Sequence, residues 1–514
     1  LRPRLHGRFG AGSFPLALGI ALAWTLHPLQ TAAVTRVIQR GELLAGLFLL
    51  LTLYAVLRAS DRSAPHRRWA AVAIAACAFG MATNEVMVAA PLIVVLFDRA
   101  FLAGTFREVW RQRWGLHLAL ATTWLLLAFL VSRNGGRESL DAWPALLTTC
   151  RGAVHCLKLG FWPDPLVLDC GEVVVRNLGE VWPQALLLAL LAGATLVGLW
   201  RSPALGFLGA WFFLTLMLRY GIGPLATQPL AESRMYLPLA ALTTLVATGV
   251  ICLGARRGGH SLLVLALVGG GVTLRRNADY ESALTIWSDT VRKTPANPRA
   301  HYHFANALSA AGRAADAIAH YETALRLDPS YAAAHHNLAG ALLQLGRAEE
   351  AVPHYEAALR LEPNSTEAHV NLAAALIRLG RGSAAVVHYE AAARSGLLAA
   401  DEQLRFGRAL AEIGRLDDAL ARLRAAERLN PRHAETRVVL GMVLSAAGRI
   451  PEAVQHFTAA VTMDPADAVA RAALGDALIE TDRPAEALTH YEAALRLQPG
   501  QAAMLHTGIG NALI

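Results

Sequence analysis

"AGRAADAIAHYETALRLDP" (311–329) and "LGRAEEAVPHYEAALRLEP" (345–363) are one phrase written twice, 34 residues apart. The step continues along the second half of the chain. Gly312, Gly346, Gly380, Gly414 and Gly448 keep it, with Asp482 in the next slot. Alanine recurs at 317, 351, 385, 419, 453 and 487, and again at 324, 358, 392, 426, 460 and 494. Tyr321, Tyr355, Tyr389, Phe457 and Tyr491 hold a third register, with Leu423 in the gap. Pro329, Pro363, Pro431, Pro465 and Pro499 close the units, and Leu397 replaces one of them. Two helices per unit explain the pattern. Gly-Arg makes the turn between them, small alanines let helices approach, an aromatic ring fills the space beside them, and proline ends the second helix.

A period of 34 residues with these landmarks resembles the tetratricopeptide repeat. Six full units occupy 298–501, a half unit (279–297) precedes them with Ala283, Trp287 and Pro295 in register, and a truncated seventh follows. The resemblance implies a superhelix whose concave face holds a protein or peptide partner. Asn337 and Asn371 fall at equivalent places in adjacent units and are candidates to line that groove; repeat consensus without a ligand is the other reading of them. Histidines also repeat, as His301, His335 and His369 and as His320, His354, His388, His456 and His490. Units stack roughly 10 Å apart, as packed helices do, and a metal-bound nitrogen sits only ~2 Å from its ion. One histidine per unit therefore does not converge on a metal, and none is expected.

The first half is of another kind. Residues 1–274 carry 23 Lys and Arg against 12 Asp and Glu, a balance of +11, while 275–514 carry 24 against 27. The basic half is also rich in long apolar runs, which points to a membrane protein with cationic loops. No Lys/Arg block or nucleic-acid motif is present, so no nucleic-acid partner is expected. Five cysteines show no CxxC pair or zinc spacing. Spanning helices need about 20 apolar residues, and passes read at 13–33, 36–57, 115–131, 181–200, 203–220, 234–254 and, more weakly, 261–274. The expected fold is all-α: a polytopic transmembrane bundle (1–274) followed by a repeat solenoid (275–514).

Residues 69–97 carry Asn84 and Glu85 near their middle, with Arg58, Arg62, Arg67 and Arg68 before and Arg99, Arg107, Arg111 and Arg113 after. Cytoplasmic loops attract Arg and Lys, so both clusters belong on one side. The segment is then a hairpin with arms 69–83 and 86–98 and its turn at Thr83-Asn84-Glu85, facing a cavity rather than lipid. The same parity puts the loops 34–42, 132–180 and 221–233, and the repeat array, on the outer side, which in a bacterial inner membrane is the periplasm.

Several phrases join these readings: "WTLHPLQTAAVTRVIQRGELLAGLFLLLTLY" (24–54), "ATNEVMVAAPLIVVLFDRAF" (82–101), "LGFWPDPLVLD" (159–169), "AESRMYLPLA" (231–240) and "YESALTIWSDTV" (280–291). Together they resemble the transmembrane and tetratricopeptide-repeat O-mannosyltransferases of the GT-C superfamily. That resemblance implies transfer of a sugar from a polyprenyl-phosphate donor to an acceptor on the outer face, with membrane lipid as a neighbour. Such a site needs cations for the departing phosphate and a carboxylate as base or metal ligand. No tightly bound cofactor is expected, and no residue pattern supports a divalent metal. The donor-side candidates are Arg234 and Arg40, whose guanidinium forks match phosphate oxygens, with Glu232, Glu85, Asn84 and His27. The chain departs from the family at Thr83-Asn84-Glu85, where relatives read Ser-Lys-Glu, and at Thr31-Ala32-Ala33-Val34, where they read Thr-Glu-Ala-Val. The family's essential acid is expected upstream of Leu1, so the chain reads as an inactive fragment of a longer protein. A non-catalytic membrane scaffold is the alternative.

Overall fold

The computed structural model describes residues 13–30, 40–61, 63–133, 142–171, 174–222, 235–253, 258–396 and 398–513. These are helical throughout and divide into two compact units, Leu1–Ala307 and Leu308–Ile514. The composition boundary at 274/275 differs from this division, which groups the half repeat with the first unit.

The first unit begins with α1 (Ser13–Thr25) and α2 (Arg40–Ala59). α3 (His66–Thr83) stops at Asn84, whose backbone is extended (φ −159°, ψ 139°). A 3-10 turn (Glu85–Ala89), α4 (Ala90–Phe97) and a π-helical turn (Asp98–Ala103) follow without interruption. The break is where the hairpin reading put it. The chain folds back there: a Cβ on Gly80 would meet Met87 Cε at 2.3 Å, so only glycine admits that contact. The second arm, however, runs on to Ala103, beyond the expected 98, because Asp98 and Arg99 are covered rather than solvated.

α5 (Phe106–Arg133) is followed by α6 (Ala142–Phe161), then α7 (Trp182–Arg201), α8 (Pro203–Ile222), α9 (Tyr236–Leu253) and α10 (Gly258–Asp279). α6 falls in the stretch read as a loop, 132–180. It buries Leu147, Ala153, Cys156 and Leu159 and keeps Arg151 and Lys158 exposed, so a search for uniformly apolar runs passes over it. A shared core of α2, α3, α4, α6, α8 and α9 side chains holds the unit together, with Ile93, Leu120, Met87 and Leu239 fully buried. Four helical stretches among the described residues are long and apolar enough to cross a membrane: Gly41–Ala59, Glu85–Ala103, Phe106–Arg133 and Trp182–Arg201. The unit closes with α11 (Ala283–Lys293) and the start of α12 (Pro298–Ala310).

In the second unit helices pair as α13 (Ala314–Leu327), α14 (Ala332–Gln344) and α15 (Ala348–Leu361), α16 (Thr366–Arg378) and α17 (Gly382–Ala393), α18 (Ala400–Glu412) and α19 (Leu416–Leu429), α20 (Ala434–Ala446) and α21 (Ile450–Met463), α22 (Ala468–Glu480) and α23 (Pro484–Leu497), with α24 (Ala502–Leu513) last. Gly312, Gly346, Gly380, Gly414 and Gly448 all have φ between 69° and 81°, and Asp482 has φ 59°. The next amide closes the turn on a carbonyl five residues back, as Arg313 N to Leu308 O at 2.9 Å and Arg347 N to Leu342 O at 3.0 Å, which is the Schellman cap. Ala317, Ala351, Ala385, Ala419, Ala453 and Ala487 are fully buried, and so are the aromatic rings at 321, 355, 389, 457 and 491. The second half is a tetratricopeptide-repeat solenoid. First helices of consecutive repeats (α14, α16, α18, α20, α22) touch one another more closely than second helices do, so they form the inner surface.

Candidate functional site

Three segments meet at the start of α2. A Cβ on Gly41 would lie 3.2 Å from Thr83 O and 3.7 Å from Asn84 Nδ2, so the Arg40–Glu42 turn abuts the hairpin tip. Further along α2, a Cβ on Gly46 would meet the Tyr236 ring at 2.6 Å. Tyr236 is fixed from a second side: its carbonyl accepts the Trp24 indole N–H at 2.9 Å, and the two rings lie 5.3 Å apart. The five residues from Gly41 to Gly46 cover about 7.5 Å of helix. The end of α1, the start of α2, the tip and the start of α9 therefore converge.

The sequence candidates divide accordingly. Asn84 Oδ1 accepts the Val86 amide at 3.0 Å and caps the 3-10 turn, so this oxygen has a structural partner. Glu85 opens that turn, is half-buried, and has no side-chain partner among the described residues. Glu42 is buried in the first turn of α2, and Arg40 is that helix's first residue. Arg234 and Glu232 lie outside the described residues, although the buried Met235 beside Arg234 places the chain end near this convergence. His27 is held at both nitrogens. The Leu29 amide donates to Nδ1 at 3.2 Å, which leaves Nε2–H to donate to Gly160 O, also 3.2 Å. That ring clips the end of α1 to α6.

Each arm of the hairpin is nearly a full crossing. At 18 residues, α3 is about 27 Å long, and Glu85–Ala103 counts 19 residues. The tip thus lies at the end of a crossing-length arm rather than halfway along a long helix.

At the other end of that arm is a cluster the charge count did not separate. Asp98 is fully buried (0 %) and is bonded by Arg113 and by His117 Nε2, the latter at 2.9 Å. Arg99, 5 % exposed, lies over the Phe106 ring at 4.7 Å and the Trp200 ring at 5.7 Å. Arg99 and Arg113 were read as loop charges; both are packed into the helix ends instead.

The phrase at 159–169 also finds its place. Lys293 Nζ donates to Leu166 O at 2.9 Å, Asn297 Nδ2 to Asp169 O at 2.9 Å, and Arg299 lies 3.1 Å from Asp169. Gly171 takes φ 83° and leaves room for Asn297. Asp289 collects Arg276 at 2.8 Å, Arg292 at 2.6 Å and Lys293 at 2.7 Å. Burial pushes the Asp289 carboxyl up, and the hydrogen bonds from Lys293, Arg292 and Arg276 outweigh it, holding the pKa below the usual carboxylate range.

On the repeats, Asn371 Nδ2 meets His336 Nε2 of the preceding unit at 3.3 Å, and His336 lies 3.5 Å from Glu367. Asn337 is half-buried on α14. The two histidine series come together within units, which the argument of one histidine per unit did not anticipate. His335 and His354 face each other Nδ1 to Nδ1 at 3.1 Å, and His369 and His388 do the same at 3.1 Å. His335 Nε2 donates to Pro329 O and His369 Nε2 to Pro363 O. The ring centroids are 5.4 Å and 5.3 Å apart, so the facing nitrogens point at one another. That is an N–H···N bond with one shared proton. Among the described residues no group of three or more His, Cys, Asp or Glu is arranged to hold a metal ion.

Known proteins bear on these elements unequally. Residues 270–332, 302–365, 404–468, 439–502 and 472–513 match one tetratricopeptide-repeat family model, and 342–396 a second. The protein O-mannosyl-transferase TMTC1 of Mus musculus is 32% identical over 102 residues, which are 18% of this chain and 11% of that protein. The match thus spans about a tenth of that relative's length. Among solved structures, YrrB, described as a tetratricopeptide-repeat protein with an unusual peptide-binding site, is 26% identical with a TM-score of 0.34, covering 36% of this chain and 96% of its own. The pilF protein of Pseudomonas aeruginosa is 18% identical with a TM-score of 0.34, covering 40% and 92%. MamA of Desulfovibrio magneticus is 24% identical with a TM-score of 0.32, covering 33% and 96%.

Proposed function

We propose that this chain is a membrane-anchored scaffold whose repeat array holds a protein or peptide. The observation that carries the reading is the continuous inner surface made by the touching first helices α14 to α22. The anchor rests on α7. Leu186, Leu190, Leu196 and Val197 stand exposed along it, bracketed by Trp182 (58 % exposed) and Trp200 (75 %). These two indoles are about 27 Å apart along the helix axis, close to the roughly 30 Å hydrocarbon core, and tryptophans favour both membrane interfaces. The positive-inside count puts the array on the periplasmic face of a bacterial inner membrane. The test is a peptide array probed with the full chain in nanodiscs. Binders should be lost from Asn371→Ala and Met442→Glu, on first helices, and kept by Thr458→Glu, on a second helix. Loss from all three, or from none, refutes the inner-surface assignment.

A second reading is a GT-C-type sugar transfer from a polyprenyl-phosphate donor. What supports it is the meeting of Gly41 with Thr83 and Asn84, which sets the positive end of α2 against the tip that bears Glu85, together with the stretch shared with the mouse transferase. Arg40 and Arg234 would take the phosphate, with Glu232 and Glu85 orienting them. Transfer by the protein, compared with its Arg234→Ala and Glu85→Gln variants, decides it. Equal rates in all three remove both residues from the site.

A further inference from the structure

Arg99 is a buried guanidinium whose Nε and Nη1 have no hydrogen-bond partner among the described residues. Burying such a group unpaired is costly, and the nearby carboxylates are taken. Asp98 is bonded to Arg113 and His117, and Glu108 is bonded to Arg111 and Gln112. What surrounds Arg99 is aromatic: Phe106 and Trp200, whose rings are 6.4 Å apart and which are each followed in the chain by an exposed arginine, Arg107 and Arg201. Trp200 stands exposed at the end of the apolar helix α7. An exposed indole at the end of such a helix marks headgroup depth.

We propose that Arg99, Phe106 and Trp200, with Arg107 and Arg201 beside them, form a site for the phosphate of an anionic phospholipid at the inner face of the membrane. The inference rests on the membrane reading above. The guanidinium supplies charge-assisted hydrogen bonds to phosphate oxygens, and the two rings hold it in place by cation–π contact. A zwitterionic headgroup carries a phosphate too, but its own ammonium opposes the arginines. The site therefore selects net negative charge.

The test is native mass spectrometry of the detergent-solubilised full chain with phosphatidylglycerol or phosphatidylcholine. The chain should retain phosphatidylglycerol preferentially, and Arg99→Gln should weaken retention roughly tenfold or more, the effect of losing one charge-assisted hydrogen bond. Arg99→Lys keeps the charge and should retain part of it, which guards against a variant that merely misfolds. Equal retention by the wild type and Arg99→Gln overturns the proposal. Full displacement by free glycerol 3-phosphate at the lipid's own concentration overturns the lipid as source. Failure of the membrane reading shows separately, as a chain that alkaline carbonate strips from the membrane. A chain that stays embedded but shows no anionic preference overturns this site alone.

Discussion

Lys293 Nζ donates to the Leu166 carbonyl 2.9 Å away, tying together residues 127 positions apart. The same ammonium bonds Asp289 at 2.7 Å, so one lysine serves both the loop and the three-cation cluster. Lys293→Met should destabilise the first unit by about 1.5–3 kcal/mol, the range for a hydrogen bond to a charged group. Asp289→Asn should cost more, about 3–5 kcal/mol, because it leaves Arg276 buried without its counter-charge. Thermal unfolding of the solubilised chain ranks the two; the reverse order would show that the loop contact dominates. The Asp289 pKa is depressed, so its contribution is present above the unfolded carboxylate value of about 4 and is lost as pH falls below it.

The histidine pairs predict acid sensitivity in a higher range. Burial lowers the pKa of His335, His354 and His388 below that of free imidazole. Arg360 adds to this at His335, and Glu322, Glu350 and Glu356 oppose it only in part. Unfolded, these rings take up protons near pH 6.5, whereas in the native pairs a second proton would set two charges on one N···N contact. The unfolded chain therefore binds more protons below that pH. Stability is complete above about 6.5 and falls as pH drops below it. The repeat transition, followed by circular dichroism, should lie several degrees lower at pH 5.5 than at 7.5. Replacing His354 and His388 by Phe should flatten the difference, and an unchanged difference would move the effect elsewhere.

Gly441 tests the packing between helices of one repeat. A Cβ there would lie 2.6 Å from Phe457 Cε1, and at Gly475 2.8 Å from the Tyr491 ring. The equivalent positions in earlier repeats hold Ala339 and Ala373, which fit. Gly441→Ala should destabilise the array by about 1–3 kcal/mol through overpacking, although alanine is the better helix former. A gain in stability would mean that the ring moves freely.

Leu190 stands exposed near the middle of α7. Leu190→Arg should reduce insertion, by about 2.5–3.5 kcal/mol for an arginine at the centre of a spanning helix. Membrane fractionation of the variant against wild type measures it, and unchanged partitioning would take α7 out of the bilayer.

The repeats were legible in the sequence because every structural need recurs every 34 residues: Gly346 for a left-handed turn, Ala351 for close approach, Tyr355 to fill the gap. The break at Asn84 was legible from charge parity alone. α6 was not, because its apolar face alternates with Arg151 and Lys158 and mimics a polar loop. Nor were the Asp98 cluster and the Lys293–Leu166 tie, since pairs far apart in the chain leave no local pattern. The histidine pairs lay in plain view as two series 19 residues apart. They were missed because the comparison ran between units instead of across the turn within one.

The left-handed turn of the last complete repeat is made by Asp482, where the others use glycine. A stacked array unfolds as a line of units, each held by its own stability and that of its neighbours. Aspartate tolerates this backbone less well than glycine, so the line has its weakest link near one end. Opening there shortens the array without dividing it. The repeats from Leu308 to Met463 stay one cooperative block while the last turns open and close.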